Sequence, residues 1–462
     1  MNPTSDTATP VTSVKFPRVF WSANTIELFE RGAYYAMASF VVIYLGQLGL
    51  GSYWPSTLNG FLWTLVYFLP ILSGTIADHV GFRVSLLAAF LMLGIGYFLM
   101  GYPVWMGGAT LMPMVSDTIT ADASTVVPLI AGILLIGLGG SIVKPCISGT
   151  VQKTAAGRAT LAFAIFYMVV NIGSLVGRGV AYLVRTQFSL SFIFAVAVAC
   201  AIMAFVLVLL FYRDPIPDAS ASARPRRSMG RILLDMVLVI RNVRFALFLL
   251  VSSGFWFLYN QVYNVVPLYL KHVVERDPAV DLYTMANPIT IVLFQLLITR
   301  LFGHMRPIRS IVVGAVIISA AMMLNILPAI IGGVREPVLN LLPLGALMVI
   351  LTVAMIAFGE LFTSARTFEY IGALAPKGQE GLFLGYANLP MAIGALVGGP
   401  VGAALFHEVM CRNARPLENG LLELDPVWSS VGWLLLVAIG LLTALSLWLY
   451  NRWLERTETV GV

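Results

Sequence analysis

Residues 189–212 read SLSFIFAVAVACAIMAFVLVLLFY, a run without a single Asp, Glu, Lys or Arg. A helix needs about 20 apolar residues to cross a bilayer, and it satisfies its own backbone groups without water. The whole chain shares this character, because its 462 residues are 59% hydrophobic and only 11% charged and its mean hydropathy is +0.89. Soluble domains carry about 25% charged residues. The composition therefore excludes soluble and disordered proteins and predicts a polytopic membrane protein.

Similar apolar runs occur along the rest of the chain and predict twelve transmembrane helices. Six of them form a first group, at 19–47, 57–77, 83–103, 126–148, 159–184 and 189–212. Six more form a second group, at 245–270, 285–303, 309–332, 341–368, 381–406 and 428–451. The polar residues 1–17 lack the apolar region of a signal peptide and are predicted to be a disordered cytoplasmic tail.

The positions of Lys and Arg predict the orientation. With both termini in the cytoplasm, eighteen of these residues fall on the cytoplasmic side and six on the outer side. The longest cytoplasmic connection, 213–244, contains Arg224-Pro-Arg-Arg227 and an amphipathic stretch at 231–241 that we expect at the membrane interface. We interpret the basic run as an orientation signal beside anionic lipid rather than as a nucleic-acid site.

The domain organisation follows from this pattern. We predict a six-helix bundle at 18–212, a cytoplasmic linker at 213–244 and a second six-helix bundle at 245–462. This all-α plan is that of the major facilitator superfamily, with a central cavity at the bundle interface. The predicted location is the cell (inner) membrane.

Ionisable side chains inside spans cost about 2.5 to 3.5 kcal/mol each, so they are candidate functional residues. The candidates are Glu27, Glu30, Arg31, Lys144, Arg178 and Glu360. The spacing of Glu27, Glu30, Arg31, Tyr34 and Tyr35 places all five on one helical face. Such a face lines a polar cavity or forms a structural ion-pair network. Its surplus negative charge is the condition that proton uptake requires.

Arg178 lies towards the outer end of the fifth span. It either acts within the protein or extends its guanidinium to the membrane surface.

Several stretches match motifs of one carrier family. They are Glu27-Leu-Phe-Glu30-Arg31-Gly-Ala-Tyr34-Tyr35, Tyr67-Phe-Leu-Pro70, Gly74-Thr-Ile-Ala-Asp78-His-Val-Gly81-Phe-Arg83, Lys144-Pro145, Phe166-Tyr167-Met-Val-Val-Asn171-Ile-Gly173-Ser174-Leu175, Phe255-Trp256, Gln261, Asn287-Pro288 and Gly359-Glu360-Leu361. Taken together and in this order, they make the sequence resemble the proton-dependent oligopeptide transporter (POT/PTR) family of the major facilitator superfamily.

The resemblance implies roles for individual residues. Arg31 and Lys144 would attract the terminal carboxylate of a peptide, and Glu360 would face its ammonium. The remaining candidates for substrate binding are Tyr34, Tyr35, Tyr67, Asn171, Trp256, Asn260, Asn287 and Ser364. Asn171 and Asn287 have the alternative role of linking helices. The loop residues Gly74, Asp78, Gly81 and Arg83 would form a gating hinge.

The sequence also departs from the family pattern. Asn260 occupies the place of an acid that usually pairs with the fourth-span lysine. Lys144 then pairs with Glu27 or Glu30, holds a substrate carboxylate permanently, or releases its proton more readily. The family's tenth-span serine-proline is Ser364-Ala365 here, and the eleventh-span tryptophan is replaced within Gly385-Tyr386-Ala387-Asn388.

These observations predict a proton-coupled symporter that imports di- or tripeptides, or similar small zwitterions, by alternating access. Proton coupling is assigned to Glu27, Glu30, Arg31 and Glu360, with no other cofactor and with a monomer in the lipid bilayer as the expected form. The alternatives are a facilitator for another small solute (sugar, amino acid, nitrate or drug) and a membrane-embedded enzyme.

The enzyme alternative has little support, and neither catalytic nor metal-binding residues are predicted. The four histidines (His79, His272, His304, His407) lie at span ends or in loops, and no HExxH, GxSxG or GxxxxGK[ST] motif occurs.

Overall fold

The computed structural model describes residues 15–112, 118–155, 158–215, 230, 234, 241–331, 333–374 and 383–459. Nearly all of them are helical. In the first half the helices are Arg18–Ala38, Val41–Gln47, Trp54–Phe68, Pro70–Val80, Phe82–Trp105, Ala123–Lys153, Ala159–Gln187 and Phe192–Phe211. The amphipathic stretch predicted at 231–241 and most of the linker lie outside the described residues.

The second half contains longer interruptions. Its α-helices are Val243–Asn260, Val265–Tyr269, Val280–Thr284, Ala286–Phe302, Pro307–Met323, Leu327–Ile331, Leu344–Leu374, Leu389–Ala404 and Pro426–Thr459. Short 3₁₀ turns occur at Gln261–Tyr263 and Leu324–Ile326, and π-helical turns at Leu270–Val274 and Leu405–Met410. Two antiparallel pairs of two-residue strands lie in loops, Pro337–Val338 with Leu342–Pro343 and Arg415–Pro416 with Leu422–Glu423.

Eleven helical segments of the described residues are long and apolar enough to cross a membrane. They are Trp54–Gly74, Phe82–Trp105, Ala123–Lys153, Leu161–Gln187, Phe192–Phe211, Val243–Val274, Val280–Phe302, Pro307–Ile331, Leu344–Leu374, Leu389–Met410 and Pro426–Arg456. We number them spans 2 to 12. The helices Arg18–Ala38 and Val41–Gln47 together form span 1, whose charged residues make it less apolar. The predicted twelve-helix fold class is confirmed.

Several predicted spans are interrupted or shifted in the structure, and spans 1 and 11 are two examples. Span 1 is interrupted at Ser39 and Phe40, between the helices Arg18–Ala38 and Val41–Gln47. The helix of span 11 begins at Leu389 rather than at 381, because residues 385–388 form a turn. Pro390 then occupies the first turn of the helix, where its missing N–H costs no hydrogen bond.

The outer surface of the bundles carries large apolar side chains. Leu210 and Leu296, for example, are 65% and 82% exposed. In water such a surface would aggregate, whereas a lipid environment solvates it without cost. Burial, packing and composition therefore agree on a multi-pass membrane protein.

Spans 2 and 11 bring the two bundles into backbone contact. A Cβ atom on Gly60 would lie 2.5 Å from the Ala395 carbonyl oxygen, and one on Gly399 would lie 2.3 Å from the Ser56 carbonyl oxygen. Only glycine permits this approach, since real Cβ contacts are longer than 3.0 Å. The Gly60–Gly399 contact is therefore a site where the two bundles meet backbone to backbone.

We call the end where span 1 finishes at Gln47 the distal end. The hydrogen bonds that cross between the bundles gather there in the described part of the chain. They are Ser39 to Thr284, Tyr53 to Glu408, Asn59 to Asn264 and to the Tyr263 carbonyl, Arg178 to Tyr263 and to the Thr284 carbonyl, and Arg185 to Asp277, Asp281 and the Pro278 carbonyl. Thr64 reaches the Ala392 carbonyl at 3.2 Å, near the middle of span 2. The two bundles are thus closed against each other at the distal end.

Candidate functional site

The acidic face of span 1 is buried inside the first bundle. Glu27, Glu30 and Arg31 are all less than 5% exposed. Arg31 and Glu30 form a bidentate salt bridge, in which Arg31 Nη2 lies 2.6 Å from Glu30 Oε1 and Arg31 Nε contacts Glu30 Oε2. The same Nε lies 3.3 Å from Glu27 Oε1, but neither oxygen of Glu27 has a hydrogen-bond partner among the described residues. Glu27 can therefore gain a proton without giving up a hydrogen bond, whereas Glu30 cannot.

Lys144 projects from span 4 towards this face. It is half-buried, and its Nζ lies 4.9 Å from the centre of the Tyr67 ring, a cation–π distance. It is within electrostatic range of Glu27, Glu30 and Glu360, yet the described residues provide no carboxylate in direct ion pairing with it. Of the partners considered from sequence, Glu27 and Glu30 are near Lys144 but do not bind it.

Glu360 enters the same region from span 10 of the second bundle. Its Oε2 accepts a hydrogen bond of 3.2 Å from Asn287 Nδ2 of span 8, and Tyr259 of span 7 lies nearby. Glu360 and Asn287 are only half-buried, as is Lys144. These polar side chains are therefore less deeply buried than Glu27, Glu30 and Arg31.

Aromatic rings connect the two sides. Tyr34 contacts Tyr35 edge-to-face at 5.3 Å, and Trp63 lies between Tyr34 at 5.9 Å, Tyr67 at 5.5 Å and Tyr263 at 4.7 Å. Sequence reasoning found the first-span tyrosines but missed Trp63, Tyr259 and Tyr263. A signal was present, because Trp63 and Tyr67, and likewise Tyr259 and Tyr263, are spaced by four residues and so share a helical face.

Span 5 contributes a second polar face. Asn171 Nδ2 donates to the carbonyl of Tyr167 on its own helix at 2.9 Å, and within the described ranges it has no hydrogen bond to another helix. Asn287, by contrast, does link spans 8 and 10. The suggestion that Arg178 extends to the membrane surface is wrong: this side chain is 1% exposed and its guanidinium lies 4.6 Å from the centre of the Tyr35 ring.

The remaining predicted substrate-binding residues lie in different surroundings. Trp256 packs edge-to-face on Tyr259 at 5.4 Å, at the aromatic wall. Ser364 has a buried hydroxyl without a hydrogen-bond partner among the described residues. Asn260 accepts from Asn264 Nδ2 at 2.5 Å and packs against Gly398, so these contacts lie within span 7 and between spans 7 and 11 of the second bundle.

The predicted gating loop is anchored to the end of span 6. The backbone N–H of Arg83 donates to Asp214 Oδ1 at 2.8 Å, and its Nη2 donates to the Leu209 carbonyl at 2.8 Å. Gly81 has a φ of +97°, which favours glycine, and Gly74 packs against Pro145. The side chain of Asp78 lies outside the described residues. Asp214 was not predicted, because its role depends on a contact across 131 positions of sequence.

The distal end holds a buried ion pair that sequence reasoning also missed. Arg185 of span 5 binds Asp281 of span 8 through Nε at 2.9 Å and Nη2 at 3.2 Å, and its Nη1 lies 3.2 Å from Asp277. Asp281 is fully buried, whereas the Asp277 side chain is 81% exposed. A cavity of about 110 Å³ lies beside the pair, lined by both bundles, with Gln47 on one side and Lys271 on the other.

Comparison with known proteins agrees with this architecture. The profile of the Major Facilitator Superfamily matches residues 29–368. The chain is 25% identical to the dipeptide and tripeptide permease B of Shigella dysenteriae serotype 1 (strain Sd197), over 98% of each chain. It is 22% identical to the multidrug resistance protein MdtH of Aeromonas hydrophila, over 82% of this chain and 81% of that protein.

Solved structures share the fold. A POT family transporter crystallised with 5-aminolevulinic acid superposes with a TM-score of 0.71 at 17% identity, covering 94% of this chain and 96% of that one. The first of these relatives is named a permease, and the crystallised protein is named a transporter. The chain belongs to the Major Facilitator Superfamily, as a divergent relative of its proton-dependent oligopeptide transporters.

Proposed function

We propose that the protein is a proton-coupled symporter that imports di- or tripeptides, or similar small zwitterions, by alternating access. The single observation that carries this proposal is that Lys144 of the first bundle and Glu360 of the second are both only half-buried and lie within electrostatic range of each other. A zwitterion held between an ammonium and a carboxylate regains, through charge-assisted hydrogen bonds, part of the hydration that it loses. The names of the permease relatives give dipeptides and tripeptides as the molecules that they transport.

The substrate would span the bundle interface. Its carboxylate would lie at Lys144, near Arg31 and the ring of Tyr67, and its ammonium at Glu360, beside Asn287 and Tyr259. Since these groups recognise the termini rather than the side chains, the site favours a broad range of short peptides. The aromatic wall around Trp63 offers apolar contacts with hydroxyl groups at its edge.

Glu27 is the best-placed proton carrier. It lies beside Arg31 and within range of Lys144, and its oxygens have no hydrogen bond to lose. A proton driven by ~100 mV supplies roughly 2.3 kcal/mol, and one pH unit adds about 1.4 kcal/mol. Together they sustain accumulation of a neutral solute on the order of 500-fold. Protons are the only coupling partner in this proposal.

The Lys and Arg distribution supports an orientation with both termini on the cytoplasmic side of a cell (inner) membrane. The distal end is then extracellular, and the contacts at that end correspond to a carrier closed to the outside. We propose that it works as a monomer in the bilayer, because each chain contains both bundles and the site between them.

Uptake of labelled dialanine into liposomes with an imposed inward proton gradient tests the proposal. We expect accumulation that collapses with a protonophore and that excess unlabelled dipeptide competes away. Glu360→Gln should lose it, whereas Glu369→Gln, an exposed change in the same helix, should not. Uptake of a sugar, nitrate or free amino acid in place of dipeptide would identify a different facilitator.

A further inference from the structure

Arg178 is a buried cation whose hydrogen bonds all go to neutral groups. It donates from Nη2 to the Tyr263 hydroxyl at 3.0 Å, and from Nη1 to Ser174 Oγ and to the Thr284 carbonyl, both at 3.3 Å. Its Nε has no partner among the described residues, although the side chain is 1% exposed. A buried charge without a counter-ion is costly. A ligand that brings a carboxylate to this site would remove that cost.

Arg185 shows the contrast, two helical turns further along the same span. It is also buried, but it binds the carboxylates of Asp281 and Asp277. Within the ranges that the structure describes, Arg178 has no such acid. The two arginines therefore differ in the one property that matters for anion binding, because one is already neutralised and the other is not.

The bonds of Arg178 depend on the state of the carrier. Tyr263 and Thr284 belong to the second bundle, so separation of the bundles at the distal end breaks both bonds and leaves only the one to Ser174. The guanidinium then faces the opened path with unfilled donors. It also borders the substrate region, since it stacks on Tyr35, which in turn lies within electrostatic range of Glu360.

The charge balance indicates what the site would accept. The acids Glu27, Glu30 and Glu360 equal in number the bases Arg31, Lys144 and Arg178. Binding of one proton leaves an excess of one positive charge in a buried region. A zwitterionic peptide does not change this excess, whereas a peptide with an acidic side chain cancels it.

We propose that Arg178 is a second carboxylate-binding residue, exposed when the distal end opens, and that it gives the carrier a preference for short peptides with an acidic side chain. This inference rests on the proposed function and specifies its substrate. One carboxylate would bind at Lys144, the second at Arg178, and the ammonium at Glu360. The planar guanidinium suits a carboxylate, to which it can donate two parallel hydrogen bonds.

The peptides Ala-Glu and Ala-Gln provide a matched test, because they differ only in one charge at nearly constant shape. Uptake of each is measured in liposomes for the wild type, Arg178→Gln, Arg178→Lys and the control Arg335→Gln. Arg335 carries the same charge at the same end, but donates to the Leu422 carbonyl within the second bundle. We expect the wild type to favour Ala-Glu, in kcat/KM, by about tenfold or more.

Arg178→Gln should lower the ratio of kcat/KM for Ala-Glu to kcat/KM for Ala-Gln by about tenfold or more. Arg178→Lys should give a ratio between those of the wild type and Arg178→Gln, and Arg335→Gln should leave the ratio unchanged. A ratio near one in the wild type overturns the proposal, and so does an equal loss of both peptides in Arg178→Gln. Where Arg178→Gln does not fold, the wild-type ratio and Arg178→Lys decide. Wild-type transport of dialanine and Ala-Gln without Ala-Glu overturns this inference alone, whereas transport of none of the three overturns the proposed function as well.

Discussion

Replacing Asp281 by Asn should open the distal end about 100-fold more often. Asp281 is fully buried and binds two nitrogens of Arg185 across the bundle interface. Loss of one partner of a buried ion pair costs about 3 to 5 kcal/mol. We take the lower value because Asp277 remains beside Arg185. Since the pair exists only when the bundles are closed, ~3 kcal/mol falls on the closed state, which corresponds to about a 100-fold shift.

Labelling of a cysteine at Ile43 measures the shift. Ile43 is 3% exposed and lines the distal cavity, so a membrane-impermeant maleimide reaches it only after opening. The background lacks the native Cys146, Cys200 and Cys411. Asp277→Asn is the matched control: its carboxylate is 81% exposed, and such a pair contributes at most about 1 kcal/mol, or roughly a fivefold change.

The double variant Arg185→Gln/Asp281→Asn leaves no buried unpaired charge, because the remaining Asp277 carboxylate is exposed, so its labelling rate should return towards that of the parent. If Asp281→Asn labels within a factor of two of the parent, the ion pair does not hold the distal end closed, and the reasoning fails.

Three further predictions concern other parts of the molecule. Glu27→Gln should abolish proton-driven accumulation of dialanine but retain counterflow, because Glu27 serves only proton coupling. If the variant loses counterflow as well, this role is wrong. Gly399→Ala places a methyl group 2.3 Å from the Ser56 carbonyl and should lower stability by about 1 to 3 kcal/mol, measured as the Tm in detergent; Gly372→Ala, which meets no atom within 4 Å, is its control and should not. Hydrogen bonds from Thr125 and Ser124 lower the pKa of Asp122, which caps span 4. The Asp122 carboxylate therefore stabilises the folded protein fully above its ordinary pKa of ~3.9. This contribution is lost as the pH falls through the lower pKa that Asp122 has in the folded state. The difference in Tm between the wild type and Asp122→Ala should therefore disappear in acid.

The sequence predicted the span-1 face well because its signal is local. Glu27 and Arg31 are four residues apart on one helix, and in the structure their side chains meet at 3.3 Å. The twelve-helix plan was equally accessible, since bilayer thickness fixes how long an apolar run must be. Boundaries were less certain, and the interruption at Ser39 carries no Pro or Gly to reveal it.

Contacts between the bundles could not be predicted. Arg185 and Asp281 are 96 positions apart, and each by itself resembles an ordinary charge near a membrane surface. The same holds for Arg178, whose neighbours Tyr263 and Thr284 come from the other half of the chain. Periodicity shows which residues share a face, but only the packing of the two halves shows which faces meet.

The bare backbone contact between Gly60 and Gly399 has a mechanical consequence. Neither glycine has a side chain to interlock with the other bundle, so this contact by itself does not resist a tilt of one bundle on the other. From Gly60 to Val80 the chain runs through two successive helices, Trp54–Phe68 and Pro70–Val80, and about 20 residues at about 1.5 Å each give an arm of roughly 30 Å. A tilt of about 10° at this pivot would move the far end of that arm by about 5 Å.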